Sequence, residues 1–213
     1  LVRAGTGQRH PLPARPAATL ESLAISVPRA ANRAVSFTNH RSAFYYTQTH
    51  VNDHPEHAWF RGLNIAGRRI FSDYRIAIDG VALDPALASS VIVRPDALVR
   101  SHSSGVTETL RLYDDRDVVG VEVLGPAAIV ELELTGDMVQ PDDSAGDARY
   151  YTSAAETPDA PAMAVAVRRA GRMFLLCAAV NRASAAALCA EAARDEPKWR
   201  AERRARLERL IDG

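Results

Sequence analysis

Three histidines stand close together as His50-x-x-x-His54-x-x-His57, with Asp53 and Glu56 interleaved. On a helix, positions i, i+4 and i+7 would share a face, which is what a zinc site requires of side chains on one element. Asn52-Asp53 and Pro55 instead predict a loop, where that facing argument lapses. The HExxH signature is absent, so the three read as loop histidines that hydrogen-bond locally, and no metal ligand is assigned. Beside them lie Tyr45, Tyr46, Trp59 and Phe60. Rings of this kind can stack on the apolar face of a sugar, with Arg61 and Asn64 as donors to its hydroxyls. The same rings also suit the core of a β-sandwich, and the sequence leaves both readings open.

The carboxylates nearest to predicted strand ends are Asp73, Glu108, Asp114 and Asp115. Glycosidic chemistry needs two carboxyls a fixed distance apart. Spacing along a strand brings no two of these face to face, so they read as solvated turn acids. There is no G-x-S-x-G elbow, no phosphate-binding loop and no G-x-G-x-x-G between a strand and a helix.

The elements that must position these groups are mostly strands. From Ala34 to about Val180 the apolar pattern has a period of two. Val119, Val121 and Val123 share one face; so do Ala128, Val130, Leu132 and Leu134, with Glu131 and Glu133 opposite. In Val106–Leu112, Val106, Leu110 and Leu112 align, and Glu108 is the exception on that face. Asp79-Gly80, Ser103-Ser104-Gly105 and Arg169-Ala170-Gly171 mark hairpin turns. Residues 136 to 161 read as a polar loop with a strand at Arg149–Thr152, and the apolar runs Met163–Val167 and Met173–Val180 as mid-sheet strands. Strands at this spacing, joined by short polar turns, predict an antiparallel sandwich.

Before this region, residues 1–32 are rich in Pro and Ala and read as a leader or extended segment, with only Leu20–Val27 strand-like and the first dozen disordered. After Asn181 the pattern turns helical: one helix over Ser184–Ala193, a break near Pro197, then a second from Lys198 to Ile211 with a thin apolar stripe. The division is therefore 1–32 leader, 33–180 sandwich and 181–213 helical linker. Two cysteines, Cys177 and Cys189, fit no metal spacing and read as buried free thiols.

The formal net charge of zero over 213 residues gives no overall footprint for nucleic acid or an anionic membrane. No run reaches the ~18 apolar residues of a membrane span, and no signal-type apolar region opens the chain. A cytoplasmic location and no cofactor are the expectations.

One resemblance follows from the order of these segments. Trp59-Phe60-Arg61-Gly62, Tyr74-Arg75-Ile76-Ala77-Ile78-Asp79-Gly80, Val93-Arg94-Pro95-Asp96-Ala97-Leu98-Val99-Arg100 and Gly105-Val106-Thr107-Glu108-Thr109-Leu110-Arg111-Leu112 follow one another. Together they resemble the N-terminal β-sandwich domain of bacterial glycogen-debranching-type (amylo-α-1,6-glucosidase-like) glycoside hydrolases, over roughly residues 35 to 212. The resemblance implies a mainly β fold, an antiparallel β-supersandwich followed by two C-terminal linker helices. It also implies docking on an (α/α)6 barrel that this sequence lacks and that would carry the general acid and base. No catalytic residue is carried over. The resemblance makes a carbohydrate substrate the expected partner, with His57, Trp59, Arg61 and Asn64 at the pocket rim. The alternative is a free-standing carbohydrate- or protein-binding sandwich module.

Overall fold

The structure, a computed structural model, describes residues 18–126, 129–136, 139–155 and 161–212. The disordered leader expected over the first dozen residues lies outside them. The described strands are β1 (Ile25–Val27), β2 (Ala34–Thr38), β3 (Ala43–Gln48), β4 (Gly62–Ile65), β5 (Arg68–Phe71), β6 (Asp73–Ile78), β7 (Val81–Ala82) and β8 (Ala88–Arg94). They continue with β9 (Ala97–His102), β10 (Thr107–Leu112), β11 (Val118–Leu124), β12 (Val130–Thr135), β13 (Val139–Ala145), β14 (Ala148–Ser153), β15 (Ala164–Ala170) and β16 (Met173–Ala179). The chain closes on one helix, α1 (Arg182–Asp212).

Every pairing is antiparallel. A nine-stranded sheet runs β1-β8-β9-β10-β11-β16-β15-β14-β13, and two smaller sheets, β2-β3-β4-β5 and β12-β6-β7, lie apart from it in pairing. Alternation along β16 shows how the layers stack. Phe174, Leu176 and Ala178 join a core with Tyr45, Leu63, Phe71, Ile76 and Leu132 from the smaller sheets. Met173, Leu175 and Cys177 point the other way, into a second core with Ala185, Cys189, Ala192 and Trp199 of α1. Both faces of β16 are thus covered, which is why its sequence is apolar throughout. The order is helix, large sheet, small sheets: a mainly β sandwich with a helix on one outer face.

The structure contains one C-terminal helix where the sequence predicts two. Pro197 sits inside it, and proline removes one backbone bond and costs a helix interior about 3 kcal/mol. Contacts on both sides offset that cost: Cys189 and Ala192 before it, and Trp199 and Arg203 after it, are all buried. Trp199 packs edge-on against Tyr113, with ring centroids 5.8 Å apart, and Arg116 lies 4.5 Å above its ring. Tyr113 Oη donates to Glu196 Oε1 at 2.9 Å.

One further difference concerns a strand. Residues 139–145, expected as loop, form β13, the outermost strand of the large sheet beside β14. β1 lies within the Leu20–Val27 segment that read as strand-like, and pairs with β8, Ile25 opposite Val93. Cys177 and Cys189 are both buried free thiols, as expected.

Candidate functional site

The loop between β3 and β4 is shaped by side chains that replace missing backbone partners. Asn32 Oδ1 accepts from His50 N at 3.1 Å, while its Nδ2 donates to Val51 O at 2.7 Å. Asn52 Oδ1 accepts from Gln48 N at 2.8 Å. Pro55–His57 then form a 3-10 turn. The loop re-enters the sheet at Gly62, where φ is +89° and a Cβ would fall 2.0 Å from Phe71 O, so only glycine fits.

The four rim residues separate into different roles. Trp59 is 70% exposed and touches Phe60 edge-on at 4.4 Å between ring centroids. With Arg61, Arg69, Pro55 and Ala58 it lines an open depression of about 420 Å³. Arg61 Nη1 donates to Asn52 O at 2.8 Å. Half-buried His57 is hydrogen-bonded through Nδ1 to Tyr46 Oη. Asn64 is buried and spends its amide on Phe60 O at 2.6 Å and Gly62 O at 3.2 Å. It holds the loop's return to the sheet. Of the four rings considered for sugar stacking, Tyr45 and Tyr46 are buried and Phe60 is half-buried. Trp59 alone among them is presented to solvent.

The three histidines do not converge. His50 is buried, with Thr49 Oγ1 at 3.1 Å from its Nδ1, and desolvation pushes its pKa down. His54 and His57 stack, with ring centroids 4.3 Å apart and 17° between planes.

Next to the rim lies a cavity of about 380 Å³, lined by His50, Asn52, Asp73, Tyr74, Asp84, Arg100, Glu108 and apolar groups including Ile76 and Leu83. Here the reading of the carboxylates as solvated turn acids is corrected. Glu108 is 2% exposed and paired to Arg100 at 2.9 Å. The two residues are direct partners across β9 and β10. Arg100 also donates from Nε to Thr49 O at 2.8 Å and from Nη2 to Gln48 O at 2.9 Å. Tyr74 Oη donates to the same Glu108 oxygen. A charge on a core face is tolerable only with such a partner, and this network supplies it.

Asp73 accepts from Tyr74 N at 2.9 Å and from Asn52 Nδ2 at 2.8 Å. Desolvation raises its pKa, against the pull of these donors and of Arg100. Burial likewise pushes the Tyr45 and Tyr74 hydroxyls well up. Asn52 joins the two halves of the site, giving its carbonyl to Arg61 and its amide to Asp73. Asp114 is also not a free turn acid: His40 Nδ1 lies 3.0 Å from it, Arg206 at 3.5 Å, and Arg203 is bonded to it. Asp115, with φ of +58° in an exposed turn, does match the expectation.

Sequence reasoning missed Arg100 and misread Glu108. The signal was available in the single acid that broke the apolar face of β10. A hairpin closed by Ser103-Ser104-Gly105 places position 100 opposite 108. Among the described residues, no helix is long and apolar enough to cross a membrane. No family model, curated protein or solved structure matches this chain.

Proposed function

We propose that this chain is a non-catalytic β-sandwich domain of a carbohydrate-active glycoside hydrolase acting on α-glucosidic or related linkages. In this reading it docks on an (α/α)6 catalytic barrel and lends the 50–64 loop to one rim of the substrate pocket. The observation that carries it is the exposure of Trp59 on a turn whose neighbouring rings are packed. An indole buries roughly 150–250 Å² when covered, so leaving it in water forgoes a large apolar contact that a pyranose face could supply. Arg61 beside it offers donors to sugar hydroxyls. His57 and Asn64 act one step back, holding the turn that carries the ring. The acid and base of hydrolysis belong to the barrel.

The polar cavity behind the rim favours one second reading, a free-standing module that binds a small polar ligand or sugar by itself. The size of the native polypeptide in its source cell, measured with an antibody to this domain, separates the two. A polypeptide much longer than 213 residues, in which Trp59→Ala raises KM for α-glucan substrates, supports the hydrolase domain. A native chain of this length that binds α-glucan oligosaccharides, and loses them with Trp59→Ala, overturns it in favour of the module.

A further inference from the structure

We propose that His54, Glu56 and His57 form a three-ligand site for a divalent transition-metal ion of the zinc class. This inference does not depend on the carbohydrate reading. Each of the three offers one ligand atom, and these atoms all lie within 4.8 Å of one another. The 3-10 turn explains the grouping: with three residues per turn, positions i and i+3 eclipse, which brings His54 over His57. His50, the third histidine of the sequence motif, is buried elsewhere, and Glu56 takes its place.

Two imidazoles and a carboxylate are a donor set that suits zinc and its first-row neighbours. Metal–ligand bonds of ~2.0–2.2 Å in tetrahedral geometry put donor atoms roughly 3.4 Å apart, so the triad has to close further around the ion. His54 and Glu56 are exposed and can swing inward; His57 is half-buried and anchored. The anchor is Tyr46, whose hydroxyl sits on His57 Nδ1 and whose ring is braced edge-on by Phe60 at 4.6 Å. That contact leaves Nε2 as the ligand atom, with Nδ1–H donating to Tyr46 Oη once the metal is bound. Metal-bound histidines are commonly oriented by such an outer hydrogen bond.

The test is a zinc titration of the tag-free, EDTA-dialysed chain by calorimetry, with cobalt absorption as a spectroscopic check. One equivalent should bind. His54→Ala and His57→Ala should each weaken binding at least about tenfold, and Tyr46→Phe, which keeps every ligand, by about tenfold. His10→Ala should change nothing. Unchanged thermal melts in the absence of metal would show that the variants are folded. The proposal is overturned if the wild-type chain takes up no zinc at about 100 µM, a weak affinity for a built site. Stoichiometric binding that survives in the His54→Ala/His57→Ala double variant overturns it as well.

Discussion

Replacing Glu108 with glutamine isolates the charge in the buried network from its shape. The variant keeps an acceptor for Tyr74 Oη and Arg100 Nη1 and removes only the negative charge. Arg100, 5% exposed, is then a buried cation whose other bonds go to the neutral carbonyls of Gln48 and Thr49. Removing one partner of a buried ion pair costs about 3–5 kcal/mol. The retained neutral hydrogen bond recovers about 1 kcal/mol of it. For a chain of this size each kcal/mol lowers Tm by about 2–4 °C, so a drop of roughly 5–15 °C is expected near neutral pH. Circular-dichroism melts read it directly, with Glu133→Gln as control. Glu133 pairs with Arg75 at 2.8 Å on the surface, its side chain 46% exposed, and surface pairs contribute about 0–1 kcal/mol. A double change, Arg100→Met with Glu108→Leu, removes both charges yet orphans the Thr49 carbonyl and the Tyr74 hydroxyl, so it should stay destabilised by about 1–3 kcal/mol per orphaned group. A Glu108→Gln melt no lower than that of Glu133→Gln would refute the reasoning.

Other predictions follow from the same geometry. Trp59→Ala should leave Tm unchanged to within the effect of about 0.5 kcal/mol typical of surface changes, because the ring is exposed; a large loss would mean that the indole supports the loop. Asp73 holds its proton to higher pH when folded than its ordinary value of 3.8. Its burial therefore adds relative stability at acid pH, and this contribution is lost as pH rises through the folded pKa. Asp73→Asn should accordingly gain on the wild type in melts taken at rising pH, and a constant difference would contradict that. Gly120→Ala should destabilise by about 1–3 kcal/mol through overpacking, since a Cβ there would lie 2.3 Å from Tyr113 Oη. Tyr113→Phe in the Gly120→Ala background should recover part of the loss in urea unfolding.

Much of the sandwich was legible because its strands obey the simple rule of alternation. β10, β11, β12 and the β15–β16 hairpin all emerge from period-two or continuous apolar runs. β13 was not, because Gln140-Pro141-Asp142-Asp143-Ser144 has the composition of a loop. An edge strand with a register shift between Pro141 and Ser144 can carry these residues. β4 and β5 were hidden by Gly62, Asn64, Arg68 and Arg69, which interrupt the pattern. The site was half legible. The crowding of His, aromatic and amide groups in the 44–71 stretch pointed to the rim, but which ring faces solvent depends on packing that no spacing encodes. The cavity's charges depend on pairings between separate sheets, Tyr74 with Glu108 and Arg100 with the β3 terminus, and only the Arg100–Glu108 pairing could be counted from a turn.

The contacts of α1 also bear on the order of assembly. Arg203 Nη1 donates to Thr38 O at 3.0 Å across 165 positions, and Arg204 reaches Glu21 across 183. The turn acid Asp114 meanwhile has His40 beside it but draws its two arginine partners, Arg203 and Arg206, from α1. A ribosome delivers these arginines long after the strands they fasten. Until then Tyr113 lacks Glu196, and the outer face of β15 and β16 stays wet. Closure of loops this long is slow, so the nascent chain would spend its waiting time with an apolar sheet face open, the interval in which a chaperone would matter most.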